Sequence, residues 1–490
     1  MRVILLTMLV FNTLTGQKTE LEAPKGRPLN IFVCGPTVYD HSHIGHARTY
    51  LAFDIITRYL RAKKIKVFYL QNITDVDDKI IDRAGKEKTS PLALAKNFER
   101  EYYKDMRALG IVSVNKYARA TDHIKEIIAQ IQTLVKKGHA YKIENDGYYF
   151  DISTFPDYGR LSRRTTEQAE DAISRIDESI NKRNKGDFAL WKFSKTQTGA
   201  KSKSYTMKVT AGEPAWATPL GSGRPGWHIE DTAITENYFG PQYDMHGGGI
   251  ELKFPHHEAE IAQQESASGK KPFVKIWMHT GSLLINGKKM SKSLGNFTTI
   301  KEFLKSGGEA ETAEDMADVL RMIVILSHYR SPVDYGKGTK DFARGNLRST
   351  KKWLEKLQLD RPISTQNRIG GLIDAAEKEF NDAMGDDFNT PRALSSIFIL
   401  MNGLRKIGPL NRQEAKIARN FIYKKIKTFG FYMKLPKKPR IPQEIKALVK
   451  EREMYRRNKQ FIQSDALRKK TEGLGYKIED TPGGPFVWPS

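Results

Sequence analysis

Cysteine is nearly absent: the chain of 490 residues holds one, Cys34, so no intrachain disulfide can form and a reducing compartment is expected. Long apolar runs are scarce as well. The run near the start, VILLTMLVF at 3–11, is too short to cross a bilayer and has no small-residue cleavage site after it. It reads as a strand, and the protein as cytoplasmic and without a membrane partner. Acidic residues are in deficit, with 57 Asp+Glu against 81 Lys+Arg and a net charge of +24, a balance that suits binding to a polyanion such as nucleic acid. A Lys-rich solvated surface is the plainer alternative, but the basic residues recur from the middle of the chain to its end rather than in one detachable tail. No Ser-His-Asp set stands out, and no internal repeat. The missing nucleophile is compatible with a reaction in which a substrate carboxylate attacks phosphorus, where positioning and electrostatics do most of the catalysis.

What is present is organised in blocks, because so long a chain exceeds one hydrophobic core and should divide into three to four units. NIFVCG from Asn30 reads as a buried strand. After a Gly/Pro loop, Tyr50, Leu51, Ile55, Tyr59 and Leu60 fall at helical spacing, and KVFYLQNIT reads as a second strand. In such a strand-helix-strand unit ligands collect at the carboxyl ends of the strands, where Cys34 and Thr74 would sit. Residues 119–214, with GYYFDISTFPDYG and the Lys/Ser-rich KFSKTQTGAKSKSY, have the composition of an insertion. The parallel-sheet pattern resumes in GWHIEDTAI and YDMHGGGIEL. Helical periodicity dominates 340–435, and beyond the breaker LPKKPRIP the last 50 or so residues read as a small separate unit opened by a basic helix.

Three constellations carry chemistry. His43, Gly45 and His46 stand where a loop enters a helix, whose unpaired N–H groups and positive dipole end attract phosphate; Gly45 lets a nucleotide approach, and two imidazoles can donate to charge developing on an α-phosphate. Alone, the tetrapeptide reads equally well as paired surface histidines. Lys289-Met290-Ser291-Lys292-Ser293 lies in the Gly-flanked INGKKMSKSLGN, a setting for mobile lysines that close on β- and γ-phosphates as pyrophosphate departs. The two motifs in this order point to adenylyl transfer. The third constellation is metal-like: Cys34, Asp231 and Pro255-His256-His257-Glu258-Ala259-Glu260. Pro255 suits the first turn of a helix, which would put His256 and Glu260 on one face, four residues apart, and zinc accepts thiolate, imidazole and carboxylate together.

CGPTVYDHSHIGHARTY, NITDVDDKI, GRPGWHIE, HGGG with FPHHEAEIAQ, WMHTG, KMSKSLGNF, HYRSPVDY and DDFNTPRAL together resemble the cysteinyl-tRNA synthetases, class I aminoacyl-tRNA synthetases, over nearly the whole chain. The resemblance implies an α/β Rossmann catalytic domain split into 1–118 and 215–283 by an inserted connective domain at 119–214. It further implies a stem-contact segment with the KMSKS loop at 284–339, a helical tRNA-binding bundle at 340–438 and a small C-terminal α+β anticodon-binding domain at 439–490. The implied reaction forms cysteinyl adenylate from L-cysteine and Mg2+-ATP and then esterifies the terminal adenosine of tRNA-Cys, by a monomer carrying one zinc ion. Matching positions are Cys34, Asp231, His256 and Glu260 for zinc, and Thr74 and Trp227 for cysteine. Those for ATP are Gly35, Thr37, Gly45, Gly247, Gly248, Glu251, Lys289, Met290, Ser291 and Lys292, with His43, His46, Lys289 and Lys292 catalytic. Two positions depart from the family pattern: Asp231 stands where cysteine is common, and Glu251 where aspartate is expected near the ribose. A cysteine ligase acting on an amino-sugar and a non-catalytic RNA-binding paralogue are the competing readings.

Overall fold

The structure, a computed structural model, describes residues 8–164, 181–194, 204–210, 212–290, 294–357, 367–408, 410–434, 440–481 and 484–489. Ser291 and Lys292 therefore lie outside the described residues, as does most of the Lys/Ser-rich stretch of the insertion. The chain forms two compact units, one of residues up to 317 with 327–335 and 385–388, the other of 318–326, 336–384 and 389–490.

The first unit opens with an antiparallel hairpin, β1 (Leu9–Asn12) and β2 (Gln17–Glu20). There follow β3 (Leu29–Val33), α1 (Ile44–Ala62), β4 (Val67–Ile73), α2 (Asp78–Glu87), α3 (Pro91–Ala108), β5 (Lys116–Arg119) and α4 (Ile124–Lys136). An antiparallel sheet interrupts: β6 (Ala140–Ile143), β7 (Gly147–Phe150), β8 (Phe188–Phe193), β9 (Met207–Thr210), β10 (Glu213–Thr218) and β11 (Gly221–Pro225), in the order β6-β7-β8-β11-β10-β9. It runs past residue 214 to Pro225, so the inserted sheet is longer at this end than its composition indicates, because β10 and β11 pair with β9 and β8. The chain then returns through α5 (Ile229–Phe239), β12 (Tyr243–Gly249), α6 (His256–Ser268) and β13 (Val274–Thr280).

GWHIEDTAI is thus not a strand but the entry to α5. Ile229 to Thr235 are all buried, the polar Glu230, Asp231, Thr232 and Thr235 with the apolar residues, so polarity along the segment does not mark a solvent face from which a helix could be read.

The main sheet has the order β13-β12-β3-β4-β5 and is parallel throughout. From β3 the chain moves to one side through β4 and β5; from β12 it moves to the other through β13. The order reverses between β3 and β12, and the crevice outside the strand ends at such a reversal is where open α/β sheets bind ligands. Cys34 closes β3 and the glycines 247–249 close β12, so both face it. Phe32, Leu70 and Trp277 at 0–1% exposure help fix the sheet in one core, each burial contributing about 2–3 kcal/mol.

After β13 come β14 (Leu283–Ile285) and β15 (Lys288–Lys289), with β14 also paired to β16 (Val333–Tyr335) and α7 (Ile300–Lys305) between. The turn 385–388 closes the unit: Asp387, 1% exposed, accepts from Phe11 N–H at 2.8 Å, the Tyr329 hydroxyl at 2.6 Å and Arg330 Nε at 2.7 Å. Asp387→Ala leaves those donors unpaired, and a loss of about 3 kcal/mol is expected. Thermal melting monitored by circular dichroism checks it; a midpoint within a degree of wild type would contradict the assignment.

In the second unit α8 (Ala313–Ile325), which begins in the first, leads to α9 (Lys337–Lys356), α10 (Gly370–Gly385), α11 (Thr390–Ile407) and α12 (Arg412–Thr428). The last described segment folds as α13 (Gln443–Arg457), α14 (Phe461–Gly473) and the hairpin β17 (Tyr476–Thr481) with β18 (Gly484–Pro489). Ile445, Leu448, Val449 and Ile478 form its small core, and buried Arg452 pairs with both Asp480 oxygens at 2.8 and 2.9 Å. Among the described residues no helix is long and apolar enough to cross a membrane.

Candidate active site

A cavity of about 400 Å³ opens at the reversal point, lined among others by Cys34, Gly35, Thr37, His43, His46, Lys79, Trp227, Glu251, Met290 and Phe297. Residues far apart in sequence, such as His43 and Phe297, meet here. Ile44 N–H donates to the Thr298 carbonyl at 3.1 Å and Ile300 N–H to the Ser42 carbonyl at 2.9 Å, which ties the segment after Lys289–Ser293 to the loop before α1. Phe297 lies edge-on to His43 with centroids 5.2 Å apart.

His43 is the N-cap of α1. Its Nδ1 accepts from Gly45 N–H at 3.1 Å and His46 N–H at 3.3 Å, while Ala47 N–H bonds the His43 carbonyl. The first four N–H groups of the helix are thus already paired, contrary to the expectation that they wait for phosphate. An accepting Nδ1 places the ring proton on Nε2, leaving that N–H as a donor. His46 stacks on His43 at 3.7 Å between centroids; burial, then the neighbouring His43, push its pKa well below the ordinary value, so it is neutral. With the helix amides engaged, an anion in the cavity meets the rings of His43 and His46. Gly45 has a different role from the expected one: a Cβ there would lie 2.8 Å from His43 Nδ1 and 3.1 Å from Met290 Cε, so glycine makes room for the cap.

Beneath Cys34 lies a cluster with no solvent. Cys34 Sγ is 3.4 Å from Asp231 Oδ2 and 3.9 Å from Glu260 Oε1, and His256 Nε2 is 3.0 Å from Asp231 Oδ2 and 3.2 Å from Glu260 Oε1. All four are buried, with donor atoms within 4.8 Å of one another. α6 begins at His256 with Pro255 as its cap, so His256 and Glu260 share a face as expected. The fit to a cation is chemical as well as spatial. Burial, then Glu260 and Asp231, push the Cys34 thiol pKa far up; burial, then Asp231, raise that of Glu260. Asp231 Oδ1 and Glu260 Oε2 are buried without any hydrogen-bond partner. A divalent cation offsets this accumulation of negative groups and reverses both shifts.

Trp227 stacks on His256 at 4.3 Å and receives the Lys79 ammonium at 5.7 Å, joining the cluster to the cavity. Thr74, expected near cysteine, does not line the cavity; it is 1% exposed and donates to the Glu230 carboxylate, a group whose pKa burial raises. Gly247 and Gly248 do not line it either: a Cβ at Gly247 would lie 2.1 Å from Phe53, and one at Gly248 2.7 Å from His257. Glu251 does, and Lys289 is exposed beside Met290. Lys79, Phe297 and His228, whose Nδ1 is 2.7 Å from that of His256, were not singled out from sequence, although GWHIE carries His228 in plain view.

A family model described as tRNA synthetases class I (C) catalytic domain matches residues 20–343, and a DALR domain model matches 379–433. A cysteine–tRNA ligase of Thermococcus gammatolerans is 40% identical over 98% of both chains. The chain belongs to the cysteine–tRNA ligase family. A Coxiella burnetii cysteine–tRNA ligase is 39% identical over 97% of this chain and 99% of that one, so the match extends through the C-terminal segment. Methionyl-tRNA synthetase of Mycobacterium tuberculosis superposes with a TM-score of 0.59 at 14% identity, covering 82% of this chain and 90% of that one, a likeness of fold. As a cysteine–tRNA ligase the chain is an ATP-dependent aminoacyl-tRNA synthetase built on an α/β core.

For this ligase Gly45→Ala is expected to dislodge the His43 ring, removing a cap worth about 1 kcal/mol. Adenylate formation should slow about 30-fold with the KM for cysteine little changed, since the imidazoles act as the transition state forms. Pre-steady-state kinetics at saturating ATP measure it, and an unaltered rate would refute the crowding argument.

Proposed function

We propose that the cavity activates L-cysteine with Mg2+-ATP and that the adenylate is then transferred to the terminal adenosine of tRNA-Cys, the chain acting as a cytoplasmic monomer. The observation that carries this reading is the placement of buried Cys34, Asp231, His256 and Glu260 directly behind a cavity walled by His43 and His46. Cys34, Asp231, His256 and Glu260 would hold one zinc ion. When bound, zinc supplies a Lewis acid that stabilises a substrate thiol as thiolate.

The remaining work falls to side chains. His43 Nε2–H and neutral His46 donate to oxygen charge developing on the α-phosphate as the cysteine carboxylate attacks and the bond to pyrophosphate breaks. Lys289 and Lys292 neutralise the departing pyrophosphate, Glu251 takes the ribose, and Gly35 and Thr37 admit the nucleotide. Trp227 and Thr74 shape the cysteine end, Thr74 by holding Glu230 rather than by touching substrate. Serine matches cysteine in shape, and a pocket alone rejects such a near-isostere weakly; zinc held by the cluster would bond a soft thiolate in preference to a hydroxyl and so add the discrimination.

Cysteine-dependent ATP–pyrophosphate exchange followed by charging of tRNA-Cys tests the reading. Both activities are expected, with serine far weaker. Exchange without charging would favour an amino-sugar ligase, and neither activity a non-catalytic paralogue.

A further inference from the structure

Cys34 has a second set of neighbours. Its Sγ lies 3.1 Å from His257 Nε2 and 3.3 Å from His246 Nε2, and Cys34, His246, His257 and Glu260 bring four buried donor atoms within 4.8 Å of one another. Tetrahedral zinc with sulfur at about 2.3 Å and nitrogen or oxygen at about 2.0–2.1 Å places its ligand atoms about 3.3–3.6 Å apart, close to the spacing of both sets.

We propose that the cluster offers two overlapping seats for one metal ion, the first made by Cys34, Asp231, His256 and Glu260, the second by Cys34, His246, His257 and Glu260. This rests on the metal reading above and adds the second seat. Glu260 belongs to both sets. Oε1 faces His256 at 3.2 Å, whereas Oε2, buried and without a hydrogen-bond partner, faces His246 Nδ1 at 3.6 Å. The unpartnered oxygen thus lies on the His246 side of the carboxylate, beside the ring nitrogen that Tyr243 also contacts, while Oε1 is the oxygen near Cys34, at 3.9 Å.

The imidazoles of the second seat are oriented from outside, as ligating histidines generally are. His257 Nδ1 lies 2.8 Å from His279 Nε2, whose own Nδ1 lies 2.9 Å from Thr13 Oγ1; a proton on each Nδ1 completes this chain and leaves the His257 Nε2 lone pair directed at Cys34. His246 Nδ1 has the Tyr243 hydroxyl at 2.6 Å, and Trp277 stacks on the ring at 4.2 Å. Neither histidine lines the cavity, and neither do Asp231, His256 and Glu260 of the first seat; Cys34, common to both seats, does.

Ligand type favours it, whereas the charge of the whole cluster is the same with the ion in either seat, since Asp231 stays 3.4 Å from Cys34. Imidazole suits zinc better than the hard oxygen of Asp231. The chain therefore tolerates aspartate at 231 because the ion has somewhere else to sit.

The test is zinc content and zinc K-edge X-ray absorption on the purified full chain, wild type beside Asp231→Asn, His256→Gln and Asp231→Asn/His257→Gln. Each single variant removes a ligand of the first seat only. Both are expected to keep one zinc per chain, with affinity lowered less than about 10-fold and two imidazoles counted at the metal, while the double variant loses more than about 1,000-fold. Zinc lost from the folded single variants, or held by fewer than two imidazoles in Asp231→Asn, overturns the second seat. His256→Gln decides the matter if Asp231→Asn does not fold. Wild-type protein that holds no zinc would instead overturn the metal reading itself, and the second seat with it.

Discussion

Glu260→Gln is expected to empty the metal cluster and to lower cysteine-dependent pyrophosphate exchange about 1,000-fold, equivalent to about 4 kcal/mol of transition-state stabilisation. The substitution keeps the shape of the side chain and removes its charge. Glu260 is the one carboxylate common to both sets of donors around Cys34, and it is buried, so no solvent water can take its place. Without its charge a cation loses the anionic ligand that both sets share, and His256 loses the carboxylate 3.2 Å away. Zinc content measured beside exchange decides the point. Full zinc with normal exchange in folded Glu260→Gln would remove this residue from the chemistry.

The second large effect concerns the end of the chain. Deleting 440–490 is expected to leave cysteine-dependent exchange within about 3-fold of wild type and to lower charging of tRNA-Cys at least about 100-fold. The deleted segment has its own small core around Ile445, Leu448, Val449 and Ile478, and its two helices carry eight basic residues, five on α13 and three on α14. Every residue lining the adenylation cavity belongs to the first unit, which the deletion spares. Affinity of the intact chain for tRNA should fall steeply as salt rises, through release of counterions from the phosphates. Charging that survives the truncation with an unchanged apparent tRNA affinity would defeat an anticodon-reading role.

How much of this could be read beforehand depended on range. The β3–α1–β4 unit and the helix opening at His256 follow local rules of periodicity and proline placement, and both stand in the structure where those rules put them. α5 was missed because its first seven residues are buried all round, Glu230, Asp231, Thr232 and Thr235 included, so polar positions there do not mark a solvent face. His43 as a cap escaped notice because serine, threonine, aspartate and asparagine are the usual caps, and a histidine in that place reads first as a catalyst. The outer histidines were hidden by distance: His246 and His257 lie 212 and 223 residues from Cys34 and meet it only through the parallel register of β12 with β3. No spacing rule reaches that far.

The three glycines that end β12 have a consequence for inheritance. Every single-base change of a glycine codon that still encodes an amino acid other than glycine adds a Cβ, so none is conservative. At Gly249 the added atom would meet the free end of Glu251, which can swing aside; at Gly247 it would strike the Phe53 ring at 2.1 Å, and at Gly248 the His257 ring at 2.7 Å. Neither ring has slack, since Phe53 is 0% exposed and His257 is held between Cys34 and His279. Missense variants at codons 247 and 248 should therefore be lost through misfolding, whereas one at codon 249, which displaces the residue assigned to the ribose, should fold and be selected against through nucleotide binding.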